Sequence, residues 1–205
     1  MKNPTDIHST NHPVREASAP AQVHSGRLMR RVRSLALATL DIDTLDAFDQ
    51  WCVHDLSGAI PFDIAICIAA RLHEGRVHAS SVHTINFPLR RDSAARRQFQ
   101  SAGRRYMGDW LRLRRPQILA VDRRLRSRGD DAANFPTLGL RGMAIHGVTS
   151  ASGRQASCFV FGQFEAAQPV NLALRLELLI PHIHQAFVSV RGVAKSAGCG
   201  ARDVP

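Results

Sequence analysis

Apolar positions along this chain switch between two periods, and the switches mark its elements. Steps of three and four first recur over about Leu28 to Leu40, which predicts a helix. A second helix follows through Leu45, Phe48, Trp51, Cys52 and Leu56, capped by Asp43 or Thr44 and ended by Ser57-Gly58. Phe62–Ala70 (FDIAICIAA) is then almost wholly apolar and partly β-branched, the pattern of a strand buried on both faces. Glu74-Gly75-Arg76 turns it into a more polar strand, Val77–Phe87, stopped by Pro88. Helical steps return at Ala95, Phe99, Ala102, Tyr106, Trp110 and Leu113, behind a cap at Asp92-Ser93.

A short strand at Ile118–Val121 and a charged loop over Arg123–Pro136 come next. Leu140–Thr149 and Gln155–Phe164, joined by Ser150-Ala-Ser-Gly-Arg154, predict a hairpin. The last run carries Leu172, Leu176, Leu179, Ile183, Ala186 and Val190 on one helix face, opened by Asn171 and closed by Arg191-Gly192. Leu174, Leu178, Ile180 and Phe187 widen that stripe, so the helix either simply closes a core or also offers a surface to a partner. Pro181 removes a backbone donor near its middle, so a bend or interruption is expected there. The element order implies an α/β sandwich around a five-stranded, mostly antiparallel sheet. Residues 1–26 read as a disordered leader, 27–192 as one domain and 193–205 as a loose tail.

Composition narrows the classes. A hydrophobic fraction of 44% supports one real core, and no run reaches the roughly 18 apolar residues that cross a bilayer. With a polar N-terminus, the expectation is a cytoplasmic protein with no membrane partner. Cys52, Cys67, Cys158 and Cys199 show no metal-ligand spacing, so neither a metal nor a cofactor is expected. The net charge of +10 is almost wholly arginine. Thirteen arginines lie between Arg90 and Arg128, and Arg97, Arg104, Arg105 and Arg112 fall opposite the apolar stripe of their helix. That face is either an ordinary solvated surface or a basic patch for nucleic acid or an acidic protein.

Catalytic motifs are missing: there is no nucleophile elbow, phosphate loop or HExxH zinc signature. Asp130-Asp131 reads as a solvated turn. His182 and His184, two apart on a helix, point about 200° from one another and do not share a ligand easily. His146, beside Gly147 at a strand end, reads as structural. A small-molecule pocket between sheet and helices would be lined by Trp51, Phe62, Ile66, Phe99, Trp110, Phe159 and Phe161. The same residues would serve equally well as a solid core.

Several short segments resemble one family. Leu176–Phe187 (LELLIPHIHQAF) resembles the LLxPHLHxAL helix of EpsA-type regulators, a group within the LuxR-type transcription regulators associated with exopolysaccharide genes. Ile145-His146-Gly147-Val148 followed by Arg154–Phe159 resembles their HGV…GRxxSFF hairpin. Asn86-Phe87-Pro88 and Asp122 match a turn and an aspartate of the same group. The resemblance covers about residues 28–191 and implies a GAF/PAS-like, non-enzymatic sensory and dimerisation domain. It implies a homodimer, or a heterodimer with a full-length regulator, through Leu172, Leu176, Leu179, Ile183 and Phe187. A small-molecule ligand is implied as well. Such regulators carry a C-terminal helix-turn-helix, whereas here the sequence ends about fourteen residues after Arg191, so direct DNA reading is not expected. The tryptophan-tyrosine-aspartate set of lactone receptors has only Asp63 as a counterpart in the first strand pair, so lactone binding does not carry over. The alternative reading is a nucleic-acid-binding module acting through Arg90–Arg128.

Overall fold

The structure, a computed structural model, describes residues 19–73, 76–87, 93–120, 139–165 and 170–199. Asp122, the Asp130-Asp131 pair and the Arg123–Pro136 loop lie outside them, as does the side chain of Phe99. The elements are α1 (Ala19–Ala38), α2 (Leu45–His54), β1 (Ile64–His73), β2 (Arg76–Ile85) and α3 (Ser93–Leu113), then β3 (Gln117–Ala120), β4 (Gly142–Thr149), β5 (Gln155–Gln163) and α4 (Leu172–Cys199).

The five strands form one sheet in the order β2-β1-β5-β4-β3, and every neighbouring pair is antiparallel. Alternation along the inner strands divides the core in two. Ala65 and Cys67 of β1 and Phe159 and Phe161 of β5 face α1, α2 and α4. Ile64, Ile66 and Ile68 of β1 and Ala156, Cys158 and Val160 of β5 face the other way, with Met107 and Trp110 of α3. Helices cover both sheet faces, which is why β1 and β5 are apolar at nearly every position. The expected GAF/PAS-like α-β-α sandwich is the architecture observed.

Local chemistry fixes the joints. Thr44, not Asp43, caps α2: its Oγ1 accepts from the Ala47 amide at 3.2 Å. Asn86 leaves β2 with φ 55°, a left-handed conformation asparagine tolerates, and its amide donates to the Asp63 carbonyl at 2.8 Å. The Asp63 carboxylate in turn accepts from the Phe164 amide at 2.6 Å.

Two boundaries differ from expectation. Helix α1 begins at Ala19, inside the stretch read as leader. Its first turns hold few bulky apolar residues, so periodicity gave no signal there. Helix α4 runs through Gly192 to Cys199, into the stretch read as tail. One interior glycine costs only about 1 kcal/mol, which is a preference and not a stop. Pro181 does not interrupt this helix either. Pro181 and Glu177, whose carbonyl loses its helical partner, are both exposed, so water can satisfy the group.

Candidate functional site

Helix α3 lies hard on its face of the sheet. A Cβ built on Gly103 would stand 2.8 Å from Cδ1 of Ile66, so a larger residue there would push the Ile66 side chain aside. Gly147 plays the same part in β4: a Cβ there would meet the Trp110 ring at 2.9 Å and the Ser157 carbonyl at 2.4 Å. The Trp110 indole donates to Nδ1 of His146 at 3.1 Å, and the Arg114 guanidinium sits 5.4 Å from the Trp110 ring centre. Burial pushes the His146 imidazole down to about 4, so at neutral pH it is an uncharged acceptor. His146-Gly147 is therefore a seat for Trp110.

Of the seven residues read as pocket lining, the six whose side chains are described do not meet in one chamber. Trp51, Phe62, Phe159 and Phe161 pack on the α4 side, while Ile66 and Trp110 lie on the α3 side. Phe48, Phe187 and Phe159 fill the middle of the α4 side, with ring centres 5.5 and 6.0 Å apart along that row. Ile66, Phe159, Phe161 and Trp110 are fully buried in packed side chains.

The assigned dimer contact is likewise placed inside. Leu172, Leu176, Leu179, Ile183 and Phe187 are each at most 2% exposed and pack against their own sheet and helices, so they are not a free surface. Among the described residues, the large apolar side chains that α4 presents outward are Leu174 and Val188. On the opposite side of the sheet, Arg97, Arg104, Arg105 and Arg112 are exposed along α3, and Arg112 bonds Asp109 at 3.0 Å.

A cleft of about 190 Å³ opens elsewhere, between α4 and the adjoining ends of β1, β2 and β5. A β-bulge helps to shape it. Ala69 pairs with Ser81 but Ala70 with Ala79, so Ser80 is an extra residue, and both serines border the cleft. Ser80 Oγ donates to the Ala69 carbonyl at 3.0 Å, whereas the buried Ser81 Oγ has no partner. From α4, His184 Nδ1 meets Ser157 Oγ at 2.9 Å. Burial lowers the His184 pKa and keeps the ring neutral at pH 7. Arg71 and Arg191 complete the polar lining, and no carboxylate is among the lining residues.

Sequence reasoning passed over this cleft. Consecutive serines in an otherwise alternating strand, and a histidine within an apolar helix, were the only signals. Neither shows that Ser81, Ser157 and His184 converge across a sheet.

No protein-family model matches the chain, and no curated protein matches it. Solved structures do. The fold is that of LuxR-family transcription-factor domains. The N-acylhomoserine-lactone-dependent LuxR-family factor CepR2 from Burkholderia cenocepacia is similar over 80% of this chain and 95% of its own, at 12% identity and a TM-score of 0.53. SdiA in complex with octanoyl-rac-glycerol is similar over 80% of this chain and 67% of its own, at 13% identity and a TM-score of 0.56. A solution structure of E. coli SdiA residues 1–171 is similar over 81% of this chain and 97% of its own, at 13% identity and a TM-score of 0.54. Among the described residues no helix is long and apolar enough to cross a membrane, and no cluster of His, Cys, Asp and Glu could hold a metal ion.

Proposed function

We propose that this chain is a non-enzymatic sensory domain of a LuxR-type transcription regulator of the EpsA kind, cytoplasmic and concerned with exopolysaccharide genes. It holds a small molecule in the cleft beneath α4 and passes occupancy on through that helix. One observation carries the reading: the cleft is walled on one side by His184, Val188 and Arg191 of a helix whose other residues close the core. Anything bound there bears on the seating of α4. The CepR2 and SdiA likenesses support a sensory role, since one is described as lactone-dependent and another was solved with an acylglycerol. Catalysis is disfavoured. His184 and Ser157 stand at nucleophile–base distance, but the cleft supplies no acid to orient the imidazole.

Signalling would pass to a second chain, either a copy of this one or a full-length regulator. The exposed Leu174 and Val188 are the docking points on α4, in place of the buried stripe. Native mass spectrometry of the protein purified from cells, against a denatured control, tests both parts. The expected result is a dimer mass and a small increment that vanishes on denaturation. A bare mass for both the protein and a cleft-filling Ser81→Phe variant would remove the ligand claim, and a monomer would remove the homodimer.

The alternative is nucleic-acid binding by the exposed arginines of α3. Duplex binding that falls steeply with salt and disappears on reversal of Arg97, Arg104 and Arg112 to Glu would favour it.

A further inference from the structure

The polar groups around the α4 cleft are unevenly chosen. Arg71 and Arg191 bring two guanidinium groups to it, and none of its eleven lining residues is acidic. Both cations are therefore uncompensated within the cleft. Its other polar side chains are Ser80, Ser81, Ser157, Gln155 and His184, and one of their atoms, Ser81 Oγ, is buried without a partner. A buried hydroxyl left unpaired is costly, so a ligand that accepts its proton gains more than an apolar one would. Position also matters. Arg71 and Gln155 are exposed at the mouth, Arg191 is half-buried, and Ser157 is fully buried at the floor. Arg71 and Ser80 thus lie at the exposed rim, Arg191 and Ser81 at an intermediate level, and Ser157 deepest. The volume of about 190 Å³ exceeds the roughly 150 Å³ of a cavity that takes benzene. It suits a compact molecule better than a long acyl chain.

We propose that the cleft binds a small organic anion, its phosphate or carboxylate held between Arg71 and Arg191 and its body against Ser80, Ser81 and Ser157. This rests on the sensory reading and names the ligand chemistry for the same site. Guanidinium groups match phosphate and carboxylate oxygens in paired hydrogen bonds, which makes them specific as well as attractive. The neutral His184 ring, engaged with Ser157 at Nδ1, borders the same space. An anion alongside would draw its pKa back up from the value that burial imposes, so His184 reports on occupancy.

The test is an NMR titration of the full chain with inorganic phosphate, with citrate and with neutral octanoyl-rac-glycerol, at constant ionic strength. The expected result is a saturable shift of the His184 ring protons and the Ser81 amide with at least one of the anions. Arg71→Gln and Arg191→Gln should each weaken that binding about tenfold, the scale for losing a charged hydrogen-bond partner. Arg104→Gln, across the sheet on α3, should leave it unchanged. The proposal is overturned if neither anion saturates, or if Arg104→Gln weakens binding as much as Arg71→Gln does. Shifts with octanoyl-rac-glycerol alone would sink the anion and keep the sensory reading. With no shift from any probe the anion also falls, and the native mass result then decides the sensory reading separately.

Discussion

At the scale of single residues, the contact of Trp110 with His146 and Gly147 leaves no room for a larger side chain. Gly147→Ala would drive a methyl group into the Trp110 ring and the Ser157 carbonyl, and destabilisation of about 1–3 kcal/mol is expected from overpacking. Urea unfolding measures it. The same contact sets a pH dependence. His146 sits near 4 when folded, below its ordinary 6.5. Between those values the unfolded chain binds a proton that the folded chain refuses. Stability should thus be complete above pH 6.5 and fall as pH drops towards 4, and His184, also depressed by burial, adds in the same direction. Urea midpoints at pH 7, 6 and 5 should decline, and His146→Gln should flatten the decline. A histidine-glycine pair at a strand end was visible in the sequence as a structural feature. Its partner, 36 residues away on another element, was not, because nothing local encodes which indole arrives.

At the scale of elements, α4 separates two roles that its sequence merges. Leu174 and Leu176 are neighbours in one apolar run, yet the first is 43% exposed and the second 0%. Leu176→Ala should cost about 2–5 kcal/mol through lost contacts and a cavity. Leu174→Ala should change stability by no more than about 0.5 kcal/mol, and any defect it shows should be in self-association by sedimentation. The strands and all four helices were legible because their apolar patterns are strong. What periodicity could not supply was the start of α1 or the end of α4, where the sequence has few bulky apolar residues to mark a face. Nor could it tell a stripe spent on the chain's own sheet from one offered to a partner, since both need the same spacing.

At the scale of the whole molecule, β1 and β5 belong to both halves of the core, each donating alternate side chains to opposite faces. Loss of either half strips one face of the strands that the other half also packs on. Trp51 reports on one face and Trp110 on the other, so tryptophan fluorescence and far-UV circular dichroism should give coincident urea midpoints and one transition. Separate midpoints would mean that the helices detach from a surviving sheet.

The bulge at Ser80 has a consequence for life in a crowded solution. β2 is the rim of the sheet, and a straight rim offers the next molecule a ready ladder of amides and carbonyls. The extra residue breaks the spacing of that ladder and twists the strand. The same irregularity that helps to shape the cleft also makes the outer edge a poor template for stacking edge to edge into aggregates.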